Sequence, residues 1–228
     1  MNIIVQQFVN FLQLGSIYAL TAISFSMVYG IVGLVNFAHG SIFTVSMYFL
    51  YFLSTWLFNY IESTWLVYVI SLSVASFATS VIAVLIERLA YRPLRSAKAV
   101  ALVVSSVGVG ILLEYLVLNF AGSKAKRMPR IIPNQGVALL GVTIPLYKIM
   151  IIVIAIIAMI ALTQLIKRTR LGTSMRAVAQ DRVAAGLMGI STNRVISYAF
   201  IFGAVLATLA GSLYGTAYSI FAYNVGDT

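Results

Sequence analysis

Six long apolar runs, near residues 8–30, 41–60, 65–87, 99–120, 146–166 and 195–217, divide this chain and leave only short polar intervals between them. A helix needs about 20 apolar residues, at 1.5 Å rise each, to cross the hydrocarbon core of a bilayer. Each run meets that length, and none alternates in the ten-residue manner of a barrel strand. The expected fold class is an all-α polytopic membrane protein, a helical bundle of about six spans forming one transmembrane domain over residues 1–228. Of the 228 residues 61% are hydrophobic and 9% charged, whereas a soluble domain carries about a quarter charged residues. No length remains for a soluble catalytic domain.

The formal charge of +10 does not point to nucleic acid, because the basic residues lie between apolar runs rather than along one soluble face. They read as topology signals and contacts to membrane lipid headgroups. Lys and Arg are absent before Arg88, so no charged segment precedes the apolar start and no cleaved signal peptide is expected. Arg88, Arg92, Arg95 and Lys98 form one basic loop, and Lys167, Arg168, Arg170, Arg176, Arg182 and Arg194 another. Together they hold ten basic residues, against Lys124, Lys126, Arg127 and Arg130 in the middle loop, or five there with Lys148. The bias makes the first and third loops cytoplasmic and the N-terminus external. The middle segment 121–145, with Gly122, Pro129, Pro133, Gly136, Gly141 and Pro145, reads as an irregular external loop.

Cysteine is absent, which excludes disulfides, thiolate metal sites and cysteine nucleophiles. The acids are Glu62, Glu87, Glu114, Asp181 and Asp227, with one histidine, His39. No phosphate-binding loop, H-E-x-x-H or G-x-S-x-G pattern occurs. No ATPase site, other enzyme activity, metal or cofactor is expected.

Four segments stand out. Residues 30–41 place Gly30, Gly33 and Gly40, each weakening helix by roughly 1 kcal/mol relative to Ala, around Asn36 and His39. This is either an interfacial turn with a structurally bonded histidine or a helix broken at membrane depth, where freed backbone groups are tolerated beside protein or a water-lined path. In the second case Asn36 caps the following half-helix. Glu114 is an acid inside the fourth run. It forms either a structural ion pair, with Lys148 as the candidate partner, or a pathway group. The loop 167–194 contains an Ala-rich amphipathic stretch with Met175, Val178, Ala185, Leu187 and Met188 on an apolar side. Thr173 or Ser174 is placed to cap its start and Gly186 or Gly189 to end it. Such a helix suits either docking to a partner or lying on anionic lipid. Finally, Ala199, Gly203, Ala207, Gly211, Gly215 and Ser219 recur every four residues as a small-residue ridge, and Ser71, Ala75, Thr79 and Ala83 form a second. Both serve packing within the bundle or contact with another subunit.

The stretches Leu14–Leu20, Met27–Gly30, Asn36-Phe37-Ala38-His39-Gly40, Glu87–Arg95 and Arg170–Gly189 together resemble the permease subunits of branched-chain amino acid ABC importers, of the LivH type, along essentially the whole chain. The resemblance implies a bacterial or archaeal plasma-membrane importer subunit. Its partners would be a second, LivM-like permease, two cytoplasmic ABC ATPases and an external substrate-binding protein. It also implies that the loop around Arg176, Asp181, Ala184, Ala185 and Gly189 is the coupling segment seated on the ATPase, and makes Asn36, His39, Gly40 and Glu114 candidates to line the path. Many relatives carry an acid after the His-Gly pair where this chain has Ser41, so that acid's role does not transfer. They also continue past the position of Thr228, which implies a C-terminally truncated chain. Two further readings compete: an ion-coupled secondary transporter using Glu114 and His39, and a membrane scaffold assembled through the ridge from Gly203 to Gly215.

Overall fold

The computed structural model describes residues 2–33, 35–95, 97–129, 136–139 and 142–227. Six helices are long and apolar enough to cross a membrane. They are α1 (Asn2–Val32), α2 (His39–Leu57), α3 (Thr64–Ile86), α4 (Ala99–Ala121), α5 (Leu146–Arg168) and α8 (Thr192–Tyr218). Two short helices, α6 (Arg170–Gln180) and α7 (Arg182–Leu187), occupy the third basic loop. The six expected spans are therefore all present, within three residues of their sequence limits except that α1 begins six residues earlier than expected. Arg130, Pro133 and Gly141, assigned above to the middle loop, lie outside the described residues, as does Thr228.

The segment after α4 is more ordered than expected. Its β1 (Lys126–Arg127) pairs antiparallel with β4 (Ile220–Phe221), just after α8. Next, β2 (Gly136–Leu139) and β3 (Val142–Pro145) pair antiparallel as a hairpin. The irregular loop expected here thus contains paired strands, with Gly136 opposite Pro145 in the ladder; strands this short carry too little alternation to be legible.

Helix α8 is central, packing against α1, α2, α3 and α5, while α4 leans on α2 and α5 on α1. Both small-residue ridges make this possible. Ser71, Ala75, Thr79 and Ala83 of α3 are buried, as are Ala199, Gly203, Ala207, Gly211 and Gly215 of α8. A β-carbon at Gly203 would stand 2.8 Å from Val28 of α1, and one at Gly211 would stand 2.9 Å from Met47 of α2. The ridge is thus filled by helices of the same chain, which removes the surface on which the scaffold reading depended.

One end of the bundle gathers the end of α3, the start of α4, the pair α6–α7 and the start of α8. There α3 widens into a single π-turn, Glu87–Tyr91. Arg95 forms a salt bridge with Glu87 and donates to Asn193 Oδ1 at 2.6 Å, while Ser197 donates to the other Glu87 oxygen at 2.8 Å. This basic end carries the first and third basic loops together, as two intervening spans require.

Candidate functional site

Helix α1 stops at Val32 because Gly33 takes a left-handed conformation (φ 70°), its amide bonding back to the Tyr29 carbonyl at 2.7 Å. Arg182 reaches over this end and donates to the carbonyls of Ile31 and Val32. A cation on the last carbonyls of a helix satisfies orphan acceptors and complements the helix dipole.

After Gly33 the chain turns back into the bundle instead of along its surface. His39 Nε2 lies 2.5 Å from Ser24 Oγ, and that hydroxyl donates to the Gly203 carbonyl at 3.1 Å. A carbonyl only accepts, so the Ser24 hydroxyl links the imidazole to the Gly203 carbonyl. Ser24 lies eight residues above the end of α1, about 12 Å along the axis. The start of α2 is therefore set back from the end of α1, inside the bundle rather than on its surface.

Freed backbone groups in this break are taken up locally. Asn36 Oδ1 accepts from the Ala38 amide at 3.1 Å and from the Tyr91 hydroxyl at 2.8 Å, and the Phe37 amide donates to Ser106 Oγ at 3.3 Å. Asn36 is thus two residues ahead of the true N-cap, Ala38, whose own side chain cannot cap. Its Nδ2 is buried and has no partner. Gly40 is required by contact rather than by flexibility. A β-carbon there would be 2.3 Å from the Gly226 carbonyl oxygen, and one on Gly226 would be 1.9 Å from the Gly40 oxygen. The Gly226 amide also donates to Thr44 Oγ1 at 2.9 Å. So the segment Val225–Asp227, after α8, is docked on the first turn of α2.

Glu114 is nearby but not where the sequence placed it. Ser41 donates to its Oε1 at 3.2 Å, while Lys148 donates to Asn10 Oδ1 on α1. The pairing of Glu114 with Lys148 is corrected for a topological reason: α4 packs on α2 and α5 packs on α1, on opposite flanks. Glu114 and His39 have different partners, so they do not form the joint site that an ion-coupled mechanism would use.

At the basic end, the amphipathic stretch is two helices rather than one. Thr169 caps α6, accepting from the Gly172 amide at 3.0 Å, and Asp181 caps α7, accepting from Val183 and Ala184 at 2.8 and 3.0 Å. Neither Thr173 nor Ser174 caps; both hydroxyls bond back to carbonyls one turn earlier. Gly189, with φ 82°, follows the end of α7. Because Asp181 is extended (φ −151°, ψ 112°), the apolar stripe is split between two directions. Met175, Val178 and Ala185 face inward and are buried, while Leu187 and Met188 are 84% and 83% exposed beside exposed Val183. Arg176 turns back to the Ile166 carbonyl and to Thr173. Ala184 and Gly189 are exposed.

Sequence reasoning missed Ser24, Tyr91 and Gly226 as neighbours of the break, and Val183 as part of the exposed tip. Tyr91 lay inside a quoted motif; Ser24 and Gly226 carried no local signal.

Fold and sites together define a multi-pass α-helical membrane protein whose second span begins inside the bundle, against α1 and α8. Residues 7–228 match the family described as branched-chain amino acid transport system / permease component, and the chain belongs to that family. It is 37% identical over 226 residues to the high-affinity branched-chain amino acid transport system permease protein BraD of Pseudomonas aeruginosa, covering 97% of this chain and 74% of that one. It is 35% identical to the corresponding permease proteins LivH of Salmonella typhimurium and Escherichia coli, covering 97% of this chain and 73% of each. No solved structure matches. This membership gives no support to the ion-coupled reading.

Proposed function

We propose that this chain is a membrane-spanning permease subunit of an ATP-driven importer of branched-chain amino acids. Its identity to permease proteins named for that transport, along 97% of its length, carries the reading. Residues 1–228 act as one permease domain in a bacterial or archaeal plasma membrane, with loop 167–194 on the cytoplasmic side. A second, LivM-like permease, two cytoplasmic ATPases that supply the hydrolytic site and an external binding protein complete the machine.

Within this reading Asn36, His39, Gly40 and Glu114 belong to the translocation path, and α7 is the coupling helix. Val183, Leu187 and Met188 touch the ATPase, Ala184 and Gly189 let it approach, and Asp181 fixes the start of the helix. Arg176 and Ala185 hold the loop to the permease. Closure of the ATPase pair on ATP moves α7. Arg182 transmits that motion to the end of α1, next to the break.

The test is copurification from native membrane in mild detergent, followed by uptake of labelled leucine into proteoliposomes. An ATPase with a phosphate loop, a second permease and ATP-dependent uptake are expected. Uptake that persists on a proton gradient without ATP overturns the proposal.

A further inference from the structure

Between the end of α3 and the start of α8 lies a polar cavity of about 640 Å³, lined by Arg88, Arg92, Arg194, Asn193, Ser197 and Tyr198 among others. It opens at the basic end. The nearest acid, Glu87, is only 1% exposed and its two oxygens are engaged by Arg95 and Ser197. The Arg95–Glu87 pair is the single ion pair recorded among the described residues. Arg88, Arg92 and Arg194 therefore converge without a carboxylate of their own.

A second cavity, of about 530 Å³, continues from the first and shares Val84, Arg88 and Ile201 with it. It runs up the membrane face of α3 and α8 past Leu85, Val81, Phe77 and Val205. Nearly all of its lining is apolar and open to the surroundings. From Arg88 to Ser76, its far limit, is twelve residues of helix, about 18 Å; one leaflet of hydrocarbon is about 15 Å thick. A cationic pocket at the level of the headgroups, joined to an apolar groove as long as one leaflet, fits an amphiphile with an anionic head.

We propose that this is a binding site for one anionic phospholipid of the leaflet at the basic end. The phosphate is clamped by Arg88, Arg92 and Arg194, with the Asn193 side-chain amide as a hydrogen-bond donor, and an acyl chain lies along Val81, Leu85 and Val205. Guanidinium groups suit this task because they bind phosphate oxygens in a bidentate manner and keep their charge at any physiological pH. Basic pockets between spans near a cytoplasmic surface are a recurrent solution to anionic lipid recognition. The groove decides between a lipid and a free anion, since inorganic phosphate has no use for it. The inference does not depend on the coupling assignment, and its readout is lipid rather than transport.

The test is native mass spectrometry of the complex reconstituted in vesicles of phosphatidylglycerol and phosphatidylcholine at equal amounts, then extracted in mild detergent. Three forms are compared: the native sequence, a triple variant Arg88→Gln, Arg92→Gln and Arg194→Gln, and Val81→Trp, which fills the groove while leaving the arginines. A second triple variant, Lys124→Gln, Lys126→Gln and Arg127→Gln, removes the same charge at the other end. Retained phosphatidylglycerol is expected to fall at least tenfold in the arginine triple and severalfold in Val81→Trp, and to stay unchanged in the lysine-arginine control. Equal retention in all forms overturns the site. Loss in the arginine triple with no effect of Val81→Trp, together with competition by inorganic phosphate, overturns the lipid in favour of a free anion. Loss of a copurifying subunit from the arginine triple with lipid retention unchanged makes the pocket a protein interface and equally overturns the proposal.

Discussion

Arg182, the first residue of α7, donates to the carbonyl of Val32, the last residue of α1. A basic side chain from the loop thus closes the helix that leads into the connection before α2. Charged hydrogen bonds of this kind contribute about 1.5–3 kcal/mol, so Arg182→Gln is expected to lower uptake about tenfold or more while membrane insertion and ATPase association persist. Unchanged uptake in proteoliposomes removes Arg182 from the coupling route.

Two glycines allow the chain after α8 to press against the start of α2. Gly40→Ala and Gly226→Ala each drive a β-carbon into backbone, at 2.3 and 1.9 Å, which forces the segments apart. Both variants should lose several degrees of thermal stability in detergent. Gly15→Ala, where nothing lies within 4 Å, should instead gain about 0.5–1 kcal/mol from helix propensity. If Gly40→Ala melts with the native protein, the contact is not a constraint.

Asn36 and Tyr91 share one buried hydrogen bond of 2.8 Å. Removing one partner strands the other, at a cost of about 1–3 kcal/mol, whereas removing both is nearly neutral at that contact. Asn36→Leu and Tyr91→Phe should accordingly be less than additive when combined, read as melting temperature and as uptake. Strict additivity would show that the two do not interact.

Leu187→Asp and Met188→Asp alter side chains that touch little of this chain. Stability of the isolated subunit should be unchanged and recovery of the ATPase in copurification should drop at least tenfold. Asp181→Ala removes the cap of a helix of six residues, costing about 1 kcal/mol, and should weaken the same association by a smaller factor. Full ATPase recovery with both aspartate variants places the docking surface elsewhere.

His39→Ala and Ser24→Ala break the relay from imidazole to hydroxyl to the Gly203 carbonyl. Both should impair uptake without raising ATP hydrolysis in the assembled complex. A rise in hydrolysis with lost uptake would make the relay part of the coupling apparatus instead.

The six spans and their limits were legible because hydrophobic length is a property of each segment alone. The stop between α1 and α2 was legible through Gly33, Asn36 and Gly40, but the neighbours of this connection were not. Ser24 and Gly203 come from distant segments to meet His39, and a contact across 179 residues, such as that of Ser24 with Gly203, leaves no periodic trace. The Lys148 assignment failed for the same reason: it needed to know which helices are neighbours. The stretch 173–190 was read with its composition right and its geometry wrong. One residue, Asp181, left the helical conformation to cap the next helix, and that turned Leu187 and Met188 away from Met175 and Val178.

Helix α1 has no charged residue in 31, yet each half of it is held by a cation from much later in the chain, Asn10 by Lys148 and Val32 by Arg182. During synthesis, then, the first three spans emerge without a positive residue to orient them until Arg88 appears. The seating of α1 waits on helices made afterwards, since it packs on α8 and α5. A chain that stops short of Arg182 lacks both the cation that caps α1 and the helix, α8, against which α1 packs.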